Sequence, residues 1–113
     1  MQIVDKITLG ELNIMSEKMS EPLVKGVVDV VLNLLVVDAD MHSDQELFLL
    51  ESESKQEDLW GINLWPDNYG TDDFIEFDSM INLRPWQNNR SRGVEDEKTR
   101  KKIAEIVAGK VYE

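Results

Sequence analysis

Between Ile75 and Arg84 the chain alternates in a way that could set chemistry on one face of a strand. Ile75, Phe77, Ile81 and Leu83 share one parity; Glu76, Asp78, Asn82 and Arg84 share the other. Strand side chains point to opposite faces in turn. Two carboxylates, an amide and a guanidinium in a row can hold an anionic group on Arg84 while an acid handles a proton. Glu76 and Asp78 are therefore the catalytic candidates. Asn63 has the parity of Gly61 and the opposite parity to Trp60, Ile62 and Leu64. Pairing of the two strands would bring it to the same face. Gly61 leaves space above the sheet of the kind a ligand needs.

The loop Asn88-Asn89-Arg90-Ser91-Arg92-Gly93 follows Pro85 and Trp86. Arg90 and Arg92 carry forked donors suited to carboxylate or phosphate. Gly93 lies just before a helix start, where free amides favour anions. Asn63, Asn82, Arg84, Asn89, Arg90 and Arg92 are thus the substrate-binding candidates, for a small anionic ligand. The plainer reading is that these arginines neutralise the acidic part of the chain. Neither a phosphate-loop spacing nor Gly-x-Gly-x-x-Gly is present. Trp86 offers a stacking platform, although lone aromatics more often pack.

A second alternation, Asp38, Asp40, His42, Asp44 and Glu46, contains the only histidine. On one continuous strand these would be five metal-ligand types on a face. A turn at Met41 to Ser43 is expected to break that row. An EF-hand loop fails too, with Ser43 at the glycine position and Leu49 at the final glutamate position. The preferred reading is an acidic turn at the sheet rim, so no metal ligand and no cofactor is assigned. Ser79 and Ser91 lack a nearby histidine and a nucleophile-elbow sequence, so neither is taken as a nucleophile.

The elements that must position these groups follow from local signals. Thr8-Leu9-Gly10-Glu11 fits a capping box, and Leu9, Leu12, Met15 and Met19 at helical spacing predict a helix near 9–19 that ends before Pro22. Strands are predicted over 26–31, 34–39, 46–51, 59–64 and 74–83, with Asn33 in a turn. The short intervals favour antiparallel neighbours. Asp96 caps a last helix with Ile103, Ile106 and Val107 as its apolar stripe and Gly109 near its end. The expected fold class is α+β, a mainly antiparallel meander of about five strands with an N-terminal and a C-terminal helix.

Bulk composition bounds the function. The 113 residues suit a single domain spanning 1–113, and 42% apolar residues suffice for a packed core. No cysteine is present, which excludes disulfides, thiolate zinc sites and thiol catalysis and fits a reducing, cytoplasmic compartment. No signal peptide and no membrane span is expected. The net charge of −11 is uneven: residues 1–83 carry 4 Lys/Arg against 18 Asp/Glu, a balance of −14, and residues 84–113 carry 8 against 5, a balance of +3. Nucleic acid and anionic membranes are poor partners for such a molecule.

Four strings carry a resemblance. They are Val-Val-Asp-Ala-Asp-Met-His-Ser-Asp, Ser-Lys-Gln-Glu-Asp-Leu-Trp-Gly-Ile-Asn-Leu, Phe-Asp-Ser-Met-Ile-Asn-Leu-Arg-Pro and Asn-Arg-Ser-Arg-Gly-Val-Glu-Asp. Together they resemble a small prokaryotic family of single-domain proteins of roughly this length with no assigned function. The likeness spans nearly the whole chain; it implies a single compact domain and brings no activity, cofactor or partner. Such relatives tend to have Gly before Ser54, where this chain has Glu53. Two functions remain open. One is a binding domain, catalytic or not, that takes a small anion in the Arg/Asn/carboxylate pocket. The other is a non-catalytic interaction or regulatory protein, a homo-oligomer that docks its acidic sheet on its basic C-terminal region.

Overall fold

Thr8 and Glu11 close the reciprocal cap that their spacing predicts. The Thr8 Oγ1 accepts from the Glu11 amide at 3.0 Å, and the Glu11 carboxylate accepts from the Thr8 amide at 3.1 Å. A computed structural model describes residues 1–113. In chain order it contains β1 (Gln2–Ile3), β2 (Ile7–Thr8), α1 (Leu9–Ser16), β3 (Val24–Asp29), β4 (Leu34–Val37), α2 (His42–Leu50), β5 (Leu59–Leu64), β6 (Ile75–Glu76), α3 (Glu97–Lys110) and β7 (Val111–Tyr112). Five strands form an antiparallel sheet in the order β1-β4-β3-β5-β6. β2 and β7 pair in parallel as a separate ribbon that ties the two ends of the chain. The fold is α+β, with helices near both termini. No helix is long and apolar enough to cross a membrane.

The hairpin of β3 and β4 turns on Asp29. Its Oδ1 accepts from the amides of Val31 and Leu32 at 2.9 and 2.8 Å, and its Oδ2 accepts from the Ser54 hydroxyl at 2.6 Å. This side chain ends β3 two residues earlier than the β-branched run suggested. Asn33 supplies the left-handed residue of the turn, with φ of 57°.

The strand expected at 46–51 is instead part of α2. β4 and β5 both lie antiparallel to β3, so they run in the same direction. Such a connection must cross over the sheet and needs a long segment. The fifth strand comes from the N-terminus, as β1 beside β4. The long strand expected over 74–83 is also shorter: only Ile75 and Glu76 pair, followed by single helical turns at Met80–Asn82 and Pro85–Gln87.

The sheet has a thick side and a thin side. Val28, Leu35, Trp60, Ile62 and Leu64 join Leu12 of α1 and Ile103 and Val107 of α3 in the main core. On the other face Val27, Val36 and Leu59 meet Leu49 of α2 in a small cluster. Gly61 lies on that thin face, between the small cluster and the Asn63 row. A Cβ there would come within 2.5 Å of the Ser79 Cβ, so only glycine lets the 77–94 segment settle on β5.

Beyond β6, the outer edge of β5 has no strand partner. Asn82 takes that place: its Oδ1 accepts from the Gly61 amide at 2.8 Å and its Nδ2 donates to the Gly61 carbonyl at 3.0 Å. Arg84 continues the cover, with Nη2 donating to the Leu59 carbonyl at 2.7 Å and Nη1 donating to the Gln56 carbonyl. Its guanidinium carbon lies 4.1 Å from the centre of the Trp60 ring, and the residue is 1% exposed.

Gly61→Ala should lower the thermal midpoint by several degrees, since forcing a methyl into packed surroundings costs about 1–3 kcal/mol. Gly109→Ala, with nothing within 4 Å of the new methyl, should leave the midpoint unchanged or raise it. Scanning calorimetry of the pair checks this, and equal midpoints would contradict the close approach of Ser79 to β5.

Arg84→Ala should cost roughly 3 kcal/mol or more, because it strips buried carbonyls and leaves nearby Glu46 without its compensating charge. Lys101→Ala on the outer face of α3 should fall within about 0.5 kcal/mol of the parent. Denaturant titration of both variants measures the difference.

Candidate functional site

The β3–β5–β6 register builds a polar row across the sheet rather than along one strand. Lys25 stands opposite Asn63, and Asn63 stands opposite Glu76. The three share the thin face. The Asn63 Nδ2 donates to the Glu76 Oε1 at 2.9 Å and to the Asp78 carbonyl at 3.3 Å. The Trp65 Nε1 donates to the same Glu76 oxygen at 3.2 Å. Arg92 reaches the row from the loop, its Nε 2.8 Å from the Asp78 Oδ1. These groups line a cleft of about 640 Å³, with His42 and Ser79 also in its wall.

α2 delivers His42. The helix hangs over the sheet by two polar side chains on its inner face: the His42 Nε2 lies 2.7 Å from the Ile62 carbonyl, and the Gln45 Nε2 donates to the Lys25 carbonyl at 2.9 Å. A carbonyl can only accept, so His42 Nε2 carries the hydrogen and Nδ1 keeps its lone pair. The ring's one hydrogen bond is the one through Nε2, so Nδ1 is uncommitted within the protein. Burial pushes the His42 pKa below its ordinary 6.5; the carbonyl of Ile62 and the charge of Asp78 work against this, and Lys25 and Arg92 add to it. His42 is therefore a neutral acceptor at neutral pH.

Only two ion pairs form in the molecule, Lys18 with Asp38 and Arg92 with Asp78. Lys25 thus faces the cleft without an ionic partner. Arg92 engages Asp78 through Nε, which leaves its terminal nitrogens free.

Of the residues singled out in the sequence, Asn63, Glu76, Asp78 and Arg92 come together at this cleft. Asn82, Arg84 and Asn89 are buried outside its lining. Asn82 and Arg84 are turned to the edge of β5. Asn89 Nδ2 donates to the carbonyls of Asn82 and Gly93, both at 2.7 Å, and its Oδ1 accepts from the Glu95 amide at 2.9 Å. Arg90 is exposed, with its amide donating to the Glu95 carboxylate, and its side chain is not part of the wall. Trp86 is 74% exposed and also lies apart. The first turn of α3 is capped by Asp96, which accepts from the Thr99 amide at 3.0 Å and whose pKa is lowered first by the Thr99 hydroxyl and then by that amide.

Lys25 and His42 were not singled out by parity or motif as parts of this pocket. The only signal for them is the cross-strand register, which places Lys25 beside Asn63. The acidic alternation around His42 disperses. Asp38 pairs with Lys18, Asp40 and Asp44 are exposed, and Glu46 turns inward toward Arg84. Burial raises the Glu46 pKa, and the Arg84 charge opposes that rise. Nowhere do three His, Asp or Glu side chains converge as metal ligands would.

The family model described as "Protein of unknown function (DUF5674)" matches residues 1–110. The chain belongs to this family. No curated protein and no solved structure matches it.

The His42 environment sets a pH dependence. Because the folded pKa is depressed, the unfolded chain takes up the proton first as pH falls. Stability from this group is full above about pH 6.5 and is lost as the pH drops toward the folded pKa. His42→Gln, which retains a donor for Ile62, should flatten the fall in thermal midpoint between about pH 7 and pH 5. An unchanged slope in that variant would mean that the proton enters elsewhere.

Proposed function

We propose that the cleft binds a small anionic molecule, held by Lys25 and the free edge of Arg92, with Glu76, Asp78 and His42 facing the rest of it. The observation that carries this reading is the convergence on one concavity of two cations with unspent donors. Lys25 has no ion pair, and Arg92 uses only Nε. A planar guanidinium edge suits bidentate contact with carboxylate or phosphate. The cleft volume of about 640 Å³ falls within the range of small-molecule sites.

Glu76 and Asp78 are the proton-handling candidates, and His42 joins them because its one hydrogen bond uses Nε2 and leaves the Nδ1 lone pair uncommitted. In this reading Asn63 contacts the ligand directly. Asn82, Arg84 and Asn89 support the cleft from behind by fixing the loop that carries Asp78 and Arg92, and Arg90 stays at the outer rim. No metal or cofactor is invoked. The global charge of −11 disfavours nucleic acid and anionic lipid, and the cysteine-free composition fits a cytoplasmic setting.

A second reading, self-association, is favoured by one observation. Met80, Leu83 and Trp86 expose large apolar side chains on consecutive turns. Sedimentation of the parent and of Trp86→Ser separates it from the first.

Thermal-shift screening of phosphates, carboxylates and nucleotides should find a small anion that raises the midpoint by several degrees at millimolar concentration. Arg92→Gln and Lys25→Gln should each weaken that ligand about tenfold, equivalent to roughly 1.4 kcal/mol. Duplex DNA should give no shift at ordinary salt. A panel in which no anion stabilises the protein would remove this proposal.

A further inference from the structure

Donors and acceptors in the cleft are not balanced for a simple anion. The charged lining consists of Lys25 and Arg92 against Glu21, Glu76 and Asp78. Arg92 is already partly offset by Asp78. A bare sulfate or acetate would therefore meet two cations and an excess of carboxylate.

Apart from the hydroxyls of Ser43 and Ser79, which can donate or accept, the uncommitted polar side-chain atoms of Glu76, His42 and Asn63 are acceptors. Glu76 spends Oε1 on Asn63 and Trp65, and its Oε2 takes no bond. His42 offers the lone pair of Nδ1. Asn63 is the sharpest case. The residue is 6% exposed, and its Oδ1 is buried without any partner. Its orientation is fixed, because Nδ2 serves the Glu76 carboxylate and the Asp78 carbonyl. A flipped amide would set oxygen against oxygen at both. A buried carbonyl left unmet is costly and is normally paired. The missing partner must be a donor.

We propose that the ligand is a zwitterion of the amino-acid class. Its carboxylate lies on Lys25 and Arg92, and its ammonium donates to Glu76 Oε2, Asn63 Oδ1 and His42 Nδ1. The inference rests on the anion-site reading above and adds the second charge to it. An ammonium group provides three donors for three acceptors. Its charge offsets the excess of carboxylate in the wall, which a hydroxyl would not do. Leu23, Met41 and Ile81 provide apolar wall for a side chain in the same cleft.

The test is a thermal-shift screen of the standard amino acids, followed by calorimetric titration of each hit beside its deaminated acid, its α-hydroxy acid and its decarboxylated amine. The amino acid should bind at least tenfold more tightly than any of the three. Glu76→Gln keeps an oxygen that can accept from Asn63 and Trp65, so it should fold like the parent, which circular dichroism checks. It should lose about tenfold in amino-acid affinity and keep its affinity for the deaminated acid. Arg92→Gln should lose both. Equal binding of the deaminated acid would overturn the zwitterion and leave the anion site standing. So would stabilisation by phosphate with no amino acid active. A screen in which neither amino acids nor simple anions bind would overturn both readings.

Discussion

The edge of β5 is the constraint on which the rest of the thin face depends. β6 pairs with β5 only at Asn63 and Leu64, so the main-chain groups from Leu59 to Gly61 would be left open. An open edge is a template for unwanted pairing and carries groups that must find hydrogen bonds. Two side chains close it. The Asn82 amide gives Gly61 both a donor and an acceptor, as a neighbouring strand would. Arg84 takes the next carbonyl along. Once these bonds are made, the segment from Phe77 to Glu95 is held against the sheet without being a strand. Asn89 then collects its loose carbonyls from within. The positions of Asp78 and Arg92 in the cleft wall follow from this anchoring, as does the need for glycine at 61.

Arg84 is a buried charge without a direct ionic partner. Glu46 and Asp58 stabilise it at longer range, and burial lowers its pKa against their pull. Removing a guanidinium from water is expensive, and close carbonyls with an aromatic face only partly compensate. Its Nε, like the Oε2 of Glu46, lacks a bond. The arrangement is better explained by shape than by net electrostatic gain: a long planar donor reaches two carbonyls on one edge. That use also takes the most prominent arginine of the sequence away from ligand binding, and it leaves Lys25 and Arg92 as the cations at the cleft.

α2 has a polar inner face and an apolar outer one over part of its length. His42, Gln45 and Leu49 are buried, while Leu47, Phe48 and Leu50 are exposed. Each of the two inner polar side chains bonds a sheet carbonyl, which offsets part of the cost of burying it, while Gln45 Oε1 takes no bond. The consequence for the site is the tautomer of His42, which the Ile62 carbonyl fixes with the lone pair on Nδ1.

The sequence by itself determined what depends on neighbours along the chain. The cap at Thr8, the strand from Leu59 to Leu64, the Asp96 cap and the Ile103, Ile106 and Val107 stripe are local patterns, and each stands where its spacing placed it. The charge asymmetry was equally legible, as was the likeness to a small family of unknown function. Tertiary structure alone decided the rest. α2 read as a strand because two of its three buried positions are polar and every apolar one but Leu49 is exposed, so its hydrophobic pattern did not report its period. The Glu76-to-Arg84 row read as one face because alternation is local, whereas an unpartnered strand edge is visible only once sheet order is known. Lys25, Asn63 and Glu76 are far apart in the chain and adjacent in space. Their alignment is a matter of register between strands, and register is set by long-range pairing that no local spacing encodes.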